Sequence, residues 1–237
     1  MKENNLNILA LSATSSSGSI AIYKEDHISY INHLDIKVTH SERLLPQIDT
    51  GLKSSKIDIS QIDLVVIANG PGSFTSIRIG LATAKGICMA HNIPLLPIST
   101  LNLLANNVLP INRNILALID AKMSEVYAAL YSPELELLIP ETNAKPTELL
   151  RMIKEPVIIV GDAAKVFIEE IDNSGIDYQL CMEHHNIPLA STLISIALKS
   201  EIPKYDFNFI SELEPYYLRK SQAELVRDEK LIKQNKK

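Results

Sequence analysis

The feature that most constrains the fold is an approximate internal repeat. Residues 8–23 read ILALSATSSSGSIAIY, and residues 115–131 read ILALIDAKMSEVYAALY. Each segment is an apolar run, a polar turn and a second alternating run, which is the pattern of a β-hairpin. Because four shared letters also recur by chance, the letters alone leave coincidence open.

The segments that follow the two hairpins also repeat in order. The first hairpin is followed by a helix pattern at residues 39–52 and the second by one at residues 145–153. Short β-branched runs come next, at Leu64–Ile67 and Val157–Val160, and such runs are typical of buried parallel strands covered by helices. The repeated order predicts a duplicated α/β fold, with two domains around a cleft.

The domain boundary is expected where Pro and Asn interrupt the periodicity, in NNVLPINRN at residues 106–114. This gives a first domain of residues 1–106 and a second of residues 107–237. A last helix is predicted at about residues 205–230, packing back on the first domain. The basic residues at the end of the chain are typical of a solvated tail.

Composition excludes several classes of protein. With 46% hydrophobic residues in 237, the chain has enough apolar surface for one large or two small cores. A formal net charge of -5 gives no long-range attraction for nucleic acid. The two cysteines, Cys88 and Cys181, are too few for a disulfide framework. The start MKENNLN lacks the apolar region of a signal peptide, and no apolar run reaches membrane-spanning length. A cytoplasmic protein is therefore expected, with no membrane contact.

A glycine-rich turn follows the first buried strand, in ANGPGSFTSIRIG at residues 68–80. Ser73 or Thr75 is expected to cap a helix that runs to about His91. A strand, a glycine turn and a helix N-terminus together often bind phosphate. The segment nevertheless matches neither GxxxxGK[ST] nor GxGxxG, and tight-turn geometry explains its glycines equally well.

The helix behind this turn is rich in small residues. They are Gly80, Ala82, Ala84, Gly86 and Ala90. Because small side chains let another helix approach closely, they indicate either packing within the first domain or a helix contact with another subunit. The pattern alone does not decide between the two.

An earlier helix is defined by a T-x-x-E capping box formed by Thr39 and Glu42. Its core stripe is predicted to consist of Leu45, Ile48 and Leu52, which leaves Leu44 off the stripe and available to a partner. Pro46 lies inside this helix, so a kink and a partly exposed face are expected.

Five segments together resemble the TsaB (YeaZ) family of bacterial proteins, which are required to make threonylcarbamoyladenosine in tRNA. The segments are His40–Asp49 (HSERLLPQID), Gly70–Ile87 (GPGSFTSIRIGLATAKGI), Ile93–Ala105, Leu118–Tyr131 and Leu213–Leu225. The combination of HSERLLP with GPGSFTS-x-R-x-G is more specific than either motif alone.

The resemblance implies the fold of actin, Hsp70 and sugar kinases, with two ribonuclease-H-like halves. It also implies a noncatalytic subunit that binds the paralogue TsaD, reaches the ATPase TsaE through that pair, contacts tRNA indirectly and forms a homodimer when alone. No cofactor is expected to be bound tightly, and ATP or ADP is expected only in the complex. The interface implied by the motifs comprises His40, Ser41, Glu42, Arg43, Leu44, Leu45, Ile48, Arg78, Ile79 and Thr83.

Two positions depart from the family pattern. Ser12 stands where the family's first hairpin has Asp, and an uncharged hydroxyl cannot position a metal-bound phosphate as a carboxylate does. Ser76 stands where the family usually has Gly. The loops are therefore interpreted as degenerate phosphate-type loops, comprising Ser12, Thr14, Gly70, Pro71, Gly72, Ser73, Thr75 and Asp120. Asp120 either faces the cleft or caps its own turn.

No residue is predicted to be catalytic or to bind metal. No two of the six histidines have H-x-x-x-H or H-E-x-x-H spacing. Ser73 in GPGSF resembles a nucleophile elbow only weakly, since Phe74 stands where that motif has Gly. The competing hypothesis is a small ATPase or phosphotransferase of the same fold, and a metallopeptidase of the M22 type is a remote third.

Overall fold

The computed structural model describes residues 6–15, 17–34 and 40–219, and its description of side chains leaves out residues 34 and 40–42. The strands are β1 (Ile8–Ser12), β2 (Gly18–Lys24), β3 (His27–Leu34), β4 (Leu64–Ala68), β5 (Leu95–Ile98), β6 (Asn114–Lys122), β7 (Glu125–Tyr131), β8 (Leu137–Ala144), β9 (Val157–Val160) and β10 (Tyr178–Leu180). The helices are α1 (His40–Ser54), α2 (Phe74–His91), α3 (Thr100–Asn106), α4 (Pro146–Leu150), α5 (Ala163–Val166), α6 (Ile168–Ser174), α7 (Ala190–Ala197) and α8 (Phe207–Glu212).

The strands form two five-stranded sheets with the same topology. The first has the order β3-β2-β1-β4-β5 and the second the order β10-β9-β6-β7-β8. In each sheet the first three strands in the chain are antiparallel, and the last two run parallel to the first. The duplicated α/β fold predicted from the repeat is confirmed, and each half has the connectivity of a ribonuclease-H-like domain.

The repeated letters occupy equivalent places in the two sheets. Ile8 pairs with Tyr23 in the first hairpin, and Ile115 pairs with Tyr131 in the second. The β-branched runs in β4 and β9 lie in the parallel part of each sheet and are buried along their whole length. Both predictions, of the hairpins and of the buried strands, are confirmed.

Helix α1 packs on the first sheet, but with a different face from the one predicted. Leu44 is 3% exposed and lies in the core with Ile48, whereas Leu45 is 56% exposed. The prediction that Leu45 belongs to the core stripe and Leu44 lies off it is therefore wrong. The helix runs unbroken through Pro46, and Thr39 lies outside the described residues.

Two helices pack on the sheet of the opposite half. Helix α3 follows the first sheet in the chain, yet Leu101 and Leu104 lie in the core of the second sheet. Helix α7 follows the second sheet, yet Leu193 and Ile194 lie in the core of the first. This exchange joins the two halves on one side of the cleft. The boundary between residues 106 and 107 stays a prediction.

The chain returns once more to the first half at its C-terminal end. Ile210 of α8 is fully buried in the core beneath α1 and α2. The helix ends at Glu212 and residues 213–219 are not helical, so the predicted continuous helix at about residues 205–230 is wrong over that stretch. Residues 220–230 lie outside the described residues. Within the described part of the chain, no helix has the length and apolar character needed to cross a bilayer.

Candidate functional site

The glycine turn after β4 leads into a capped helix, as the sequence predicts. Ser73 is the N-cap of α2, with its side-chain oxygen accepting from the backbone N–H of Ser76. Thr75 lies inside the helix and is exposed. Helix α2 ends at His91, where Asn92 adopts the left-handed conformation and closes it. Of the two candidate caps, Ser73 is the one used.

The polar groups of this turn bind the protein's own backbone. The N–H of Ser73 donates to the carbonyl of Thr14 over 2.8 Å, and the carbonyl of Gly70 accepts from the N–H of Thr100 over 2.8 Å. The carbonyl of Asn69 accepts from the N–H of Tyr216, also over 2.8 Å. A phosphate loop presents its N–H groups to the ligand, whereas this turn uses Ser73 N–H to join two loops.

The departure at Ser76 has a local structural use. Its side chain is buried, and its hydroxyl donates to the Ser73 oxygen over 3.0 Å. The N-cap side chain therefore has a second partner that a glycine at this position could not supply. The Ser76 hydroxyl therefore forms a hydrogen bond with the capping oxygen and fixes the orientation of the Ser73 side chain.

Two side chains of the first hairpin are buried without a hydrogen-bond partner among the described residues. They are the hydroxyls of Ser12 and Thr14, which lie at and just beyond the end of β1. Ser12 is one of the two positions at which the sequence departs from the pattern implied by the resemblance. Burying a carboxylate there would require a partner for its charge, which a serine does not need.

A cleft between the halves contains two adjoining cavities, of about 230 and about 440 Å³. Thr14 and Asp162 line both, and Thr100 lines the smaller one, where its hydroxyl also has no hydrogen-bond partner among the described residues. Asp120 and Lys122 line the larger cavity. The structure therefore brings the first-hairpin loop and Asp120 to one cleft.

Asp120 serves both the turn and the cleft. Its carboxylate accepts from the backbone N–H of Lys122 over 2.8 Å and from the Lys122 ammonium over 2.5 Å. This hydrogen bond raises the pKa of Lys122, with the Asp120 charge adding to it. The negative charge of Asp120 is therefore already paired within its own turn, and the two alternatives left open by the sequence are both realised.

Asp162 is the second carboxylate of the cleft. Its Oδ1 accepts from the N–H of Asp120 over 3.0 Å, and the residue lines both cavities while remaining exposed to solvent. Desolvation by the surrounding protein raises the pKa of Asp162, and the nearby charge of Asp120 raises it further. The three basic residues that line the two cavities, Lys122, Lys165 and Arg219, are each paired with a carboxylate, so the cleft disfavours a free anion.

Sequence reasoning missed Asp162, Lys122 and Thr100. A signal for Asp162 existed, because Gly161-Asp162 follows β9 just as the glycine turn follows β4. Gly161 has a φ of +113°, and a Cβ atom there would lie 2.0 Å from the carbonyl oxygen of Leu118. Each half therefore ends its fourth strand with a glycine pressed against a neighbouring backbone.

The predicted interface residues divide into buried, exposed and undescribed groups. The side chains of His40, Ser41 and Glu42 lie outside the described part of the chain. Arg43, Leu45 and Arg78 are exposed, Leu44 and Ile48 are buried, and Ile79 and Thr83 are half-buried. Leu44 and Ile48 lie in the first core, and the interface made by these residues stays a prediction.

Helix α2 presents a face of small residues to solvent. Ala82, Gly86 and Ala90 are spaced four apart and are all exposed. A Cβ atom added at Gly86 would meet no atom within 4 Å. By contrast, a Cβ atom added at Gly80 would lie 3.0 Å from Ala13, so that glycine packs internally. Packing within the first domain is confirmed for Gly80 and Ala84, and the helix contact with another subunit stays a prediction.

Among the described residues, no group of three or more His, Cys, Asp and Glu side chains is arranged to hold a metal ion. His184 and His185 lie between Glu183 and Asn186, which line the smaller cavity, and their rings lie 4.1 Å apart edge to face. Desolvation lowers the pKa of His185, and His184 beside it lowers it further. No metal ligand set follows from these residues.

The two matched halves and the cleft between them define an actin-like fold. YeaZ from Pseudomonas aeruginosa has the same fold, with a TM-score of 0.73 at 24% identity over 90% of this chain and 100% of that chain. The family model described as "TsaD: tRNA N6-adenosine threonylcarbamoyltransferase" matches residues 35–224. The TsaB protein of Bacillus subtilis is 30% identical over 92% of this chain and 96% of its own length. The TsaB protein of Haemophilus influenzae is 29% identical over 91% and 94%. The chain belongs to the TsaB family of tRNA threonylcarbamoyladenosine biosynthesis proteins.

Proposed function

We propose that this chain is a noncatalytic subunit of the machinery that forms threonylcarbamoyladenosine on tRNA. It binds TsaD through the outward faces of α1 and α2, and TsaE joins through that pair. Binding of tRNA belongs to the assembled complex, because this chain alone has a formal net charge of -5. The chain alone binds no nucleotide tightly, and ATP or ADP acts at the level of the complex.

The observation that carries the proposal is the outward face of α2. Its exposed small residues leave open space over Gly86, into which a partner helix fits closely. Leu45 on α1, the helix that packs beside α2, is 56% exposed and offers an apolar anchor. Interface energy concentrates in a few such anchors surrounded by well-fitted contacts.

The turn before α2 supports the noncatalytic part of the proposal. The N–H of Ser73 is bonded to the Thr14 carbonyl, and Asp120 is paired with Lys122. Groups that would bind and polarise a phosphate are thus engaged within the protein. The turn instead supports the position of α2 against the first hairpin.

Calorimetric titration with purified TsaD tests the proposal. Leu45→Glu and Gly86→Arg each change a side chain that touches little within the chain, so both variants should fold. We expect each to weaken binding at least tenfold, which is about 1.4 kcal/mol or more. The matched control is Leu138→Glu, which alters a leucine on β8 of the other half that is 47% exposed. Equal affinity for all four proteins would refute the proposed docking face.

Without TsaD, the same apolar face is proposed to pair with a second copy of the chain. Sedimentation velocity over a concentration series measures this. The wild-type protein should shift to a dimer at high concentration, and Gly86→Arg should remain a monomer. A wild-type monomer at every concentration would contradict the homodimer.

A small ATPase is the second candidate, favoured by the cleft cavity of about 440 Å³ that Asp120, Lys122 and Asp162 line. Calorimetry with Mg-ATP and a phosphate-release assay on the isolated chain separate the two candidates. Tight binding of Mg-ATP together with its hydrolysis would establish the ATPase, provided that Asp162→Asn abolishes the hydrolysis. No heat and no release of phosphate would leave the scaffold as the supported function.

A further inference from the structure

The segment Leu213–Arg219, here called the strap, contacts the cores of both halves within seven residues. Leu213 packs on the core of the first sheet, and Leu218 packs on the core of the second. The strap therefore crosses from one half to the other at the level of the glycine turn. It belongs to Leu213–Leu225, one of the five segments that carry the family resemblance, but it is not part of the outward faces of α1 and α2 from which the docking proposal was argued.

Backbone hydrogen bonds fasten the strap to the first half. The side-chain amide of Asn69 donates to the carbonyl of Glu214 over 3.1 Å, and the Asn69 carbonyl accepts from the N–H of Tyr216. The ammonium of Lys85 on α2 donates to the carbonyls of Ser211 and Leu213, over 2.8 and 3.0 Å. These bonds hold the approach to the strap against the glycine turn and α2.

An aromatic clamp adds a second fastening to α2. The rings of Tyr217 and Phe74 are stacked with centroids 4.7 Å apart. Arg78 donates from Nε to the Tyr217 hydroxyl over 2.7 Å, and its guanidinium lies over both rings. Stacking and cation–π contact each add to the burial that fixes Tyr217.

The other end of the strap is fastened to the second half by charge. Arg219 donates from Nη1 to the carboxylate of Glu125 on β7 over 3.0 Å. The amide of Asn143 on β8 donates to the same carboxylate oxygen over 2.8 Å. Arg219, Gly72 and Phe74 all line the larger cleft cavity. The strap therefore forms part of the wall that encloses the cleft.

We propose that the strap is a latch that holds the two halves at a fixed separation and keeps the cleft closed. Domains joined on one side only are expected to move relative to one another. Helices α3 and α7 connect the halves on one face of the first sheet, and the strap makes a second connection on the opposite face, where α2 lies. Two connections at different places remove the hinge rotation that one would allow.

The distance between spin labels on the two halves tests the latch in the isolated chain. Labels at Ser54→Cys on α1 and Glu169→Cys on α6 occupy exposed positions, and Cys181→Ser removes the half-buried thiol. With the strap intact, electron–electron double resonance should give one narrow distance. The double variant Tyr217→Ala/Arg219→Gln should give a second, longer distance.

The control is Lys165→Gln, which removes an exposed ion pair with Glu183 at the cleft but leaves the strap intact. It should give the wild-type distance. Thermal melts show which variants are folded, and Arg219→Gln alone carries the test if the double variant unfolds, because Glu125 keeps its bond from Asn143. The latch proposal would be wrong if the folded strap variant had the same spin-label distance distribution as the wild type. It would also be wrong if the wild-type distance distribution were broad. No partner protein is needed, so the result is independent of TsaD binding.

Discussion

The backbone N–H of Ser73 donates to the carbonyl oxygen of Thr14 over 2.8 Å, and this bond holds the start of α2 against the end of the first hairpin. Gly72 lies between these two residues in space. A Cβ atom on Gly72 would lie 2.2 Å from the same carbonyl oxygen. The close approach therefore depends on glycine.

Gly72→Ala should destabilise the protein by about 3 kcal/mol, because the added methyl group meets a backbone carbonyl that the Ser73 bond holds in place. The midpoint of urea unfolding measures the change. Gly86→Ala is the matched control, since its Cβ atom enters open space in a helix and should stabilise the protein by about 0.5–1 kcal/mol. Equal midpoints for the wild type and Gly72→Ala would show that the turn can relax.

The two adjacent leucines of α1 should respond very differently to truncation. Leu44→Ala removes a side chain from the first core and should cost about 2–5 kcal/mol of unfolding free energy. Leu45→Ala removes an exposed side chain and should change the stability by no more than about 0.5 kcal/mol. Urea unfolding of the two variants measures both. A larger loss for Leu45→Ala would mean that α1 is rotated relative to the described packing.

The error at these leucines shows how far a helical pattern can be read. Leu44, Ile48 and Leu52 are spaced four apart, and Leu45, Ile48 and Leu52 are spaced three and four apart. Each set forms an apolar stripe along the helix, and the two stripes differ by a rotation of the helix of about one residue. The sheet beneath decides which set is buried, and one helix's sequence does not contain that information.

The local features of the fold could be predicted, and the long-range ones could not. Residue spacing predicted both hairpins, the buried runs in β4 and β9 and a helix cap at Ser73 or Thr75, because each depends on near neighbours. The exchange of α3 and α7 between halves depends on which sheet each helix meets. An apolar helix face fits either sheet, so nothing in the pattern favoured the observed choice.

The candidate site shows the same division. The glycine turn and Asp120 were found from motifs, but the pairing of Asp120 with Lys122 and the contact of Ser73 with Thr14 required coordinates. The strap carries a visible signal, the adjacent aromatic pair Tyr216-Tyr217, yet its two attachment points lie far away in the chain. Separations of more than 90 residues, such as Arg219 to Glu125, are invisible to a local pattern.

The two thiols should differ in reactivity in the folded protein. Burial raises the pKa of Cys88 to about 12, and the residue is fully buried, so almost no accessible thiolate exists at pH 8. Burial also raises the pKa of Cys181, but this thiol is only half-buried. Ellman's reagent should therefore label Cys181 slowly and Cys88 only on unfolding. Cys181→Ser should abolish labelling of the native protein, and continued labelling of that variant would contradict the packing of Cys88.

Asp162 should make stability depend on pH in a stated direction. Its pKa is raised in the folded protein, chiefly by desolvation, so the folded state holds a proton at pH values where the unfolded state has lost it. Stability contributed by this group is therefore complete below its ordinary pKa of about 3.9 and falls as the pH rises through the folded pKa. Asp162→Asn should remove that loss of stability, because the amide oxygen can still accept from Asp120 N–H.

Urea unfolding at pH 3.5 and pH 7 measures the effect. The free energy of unfolding of Asp162→Asn should exceed that of the wild type at pH 7 but not at pH 3.5. The control Glu169→Gln, on the exposed surface, should match the wild type at both pH values. If Asp162→Asn were less stable than the wild type at pH 7, the cleft would stabilise the ionised carboxylate instead of disfavouring it.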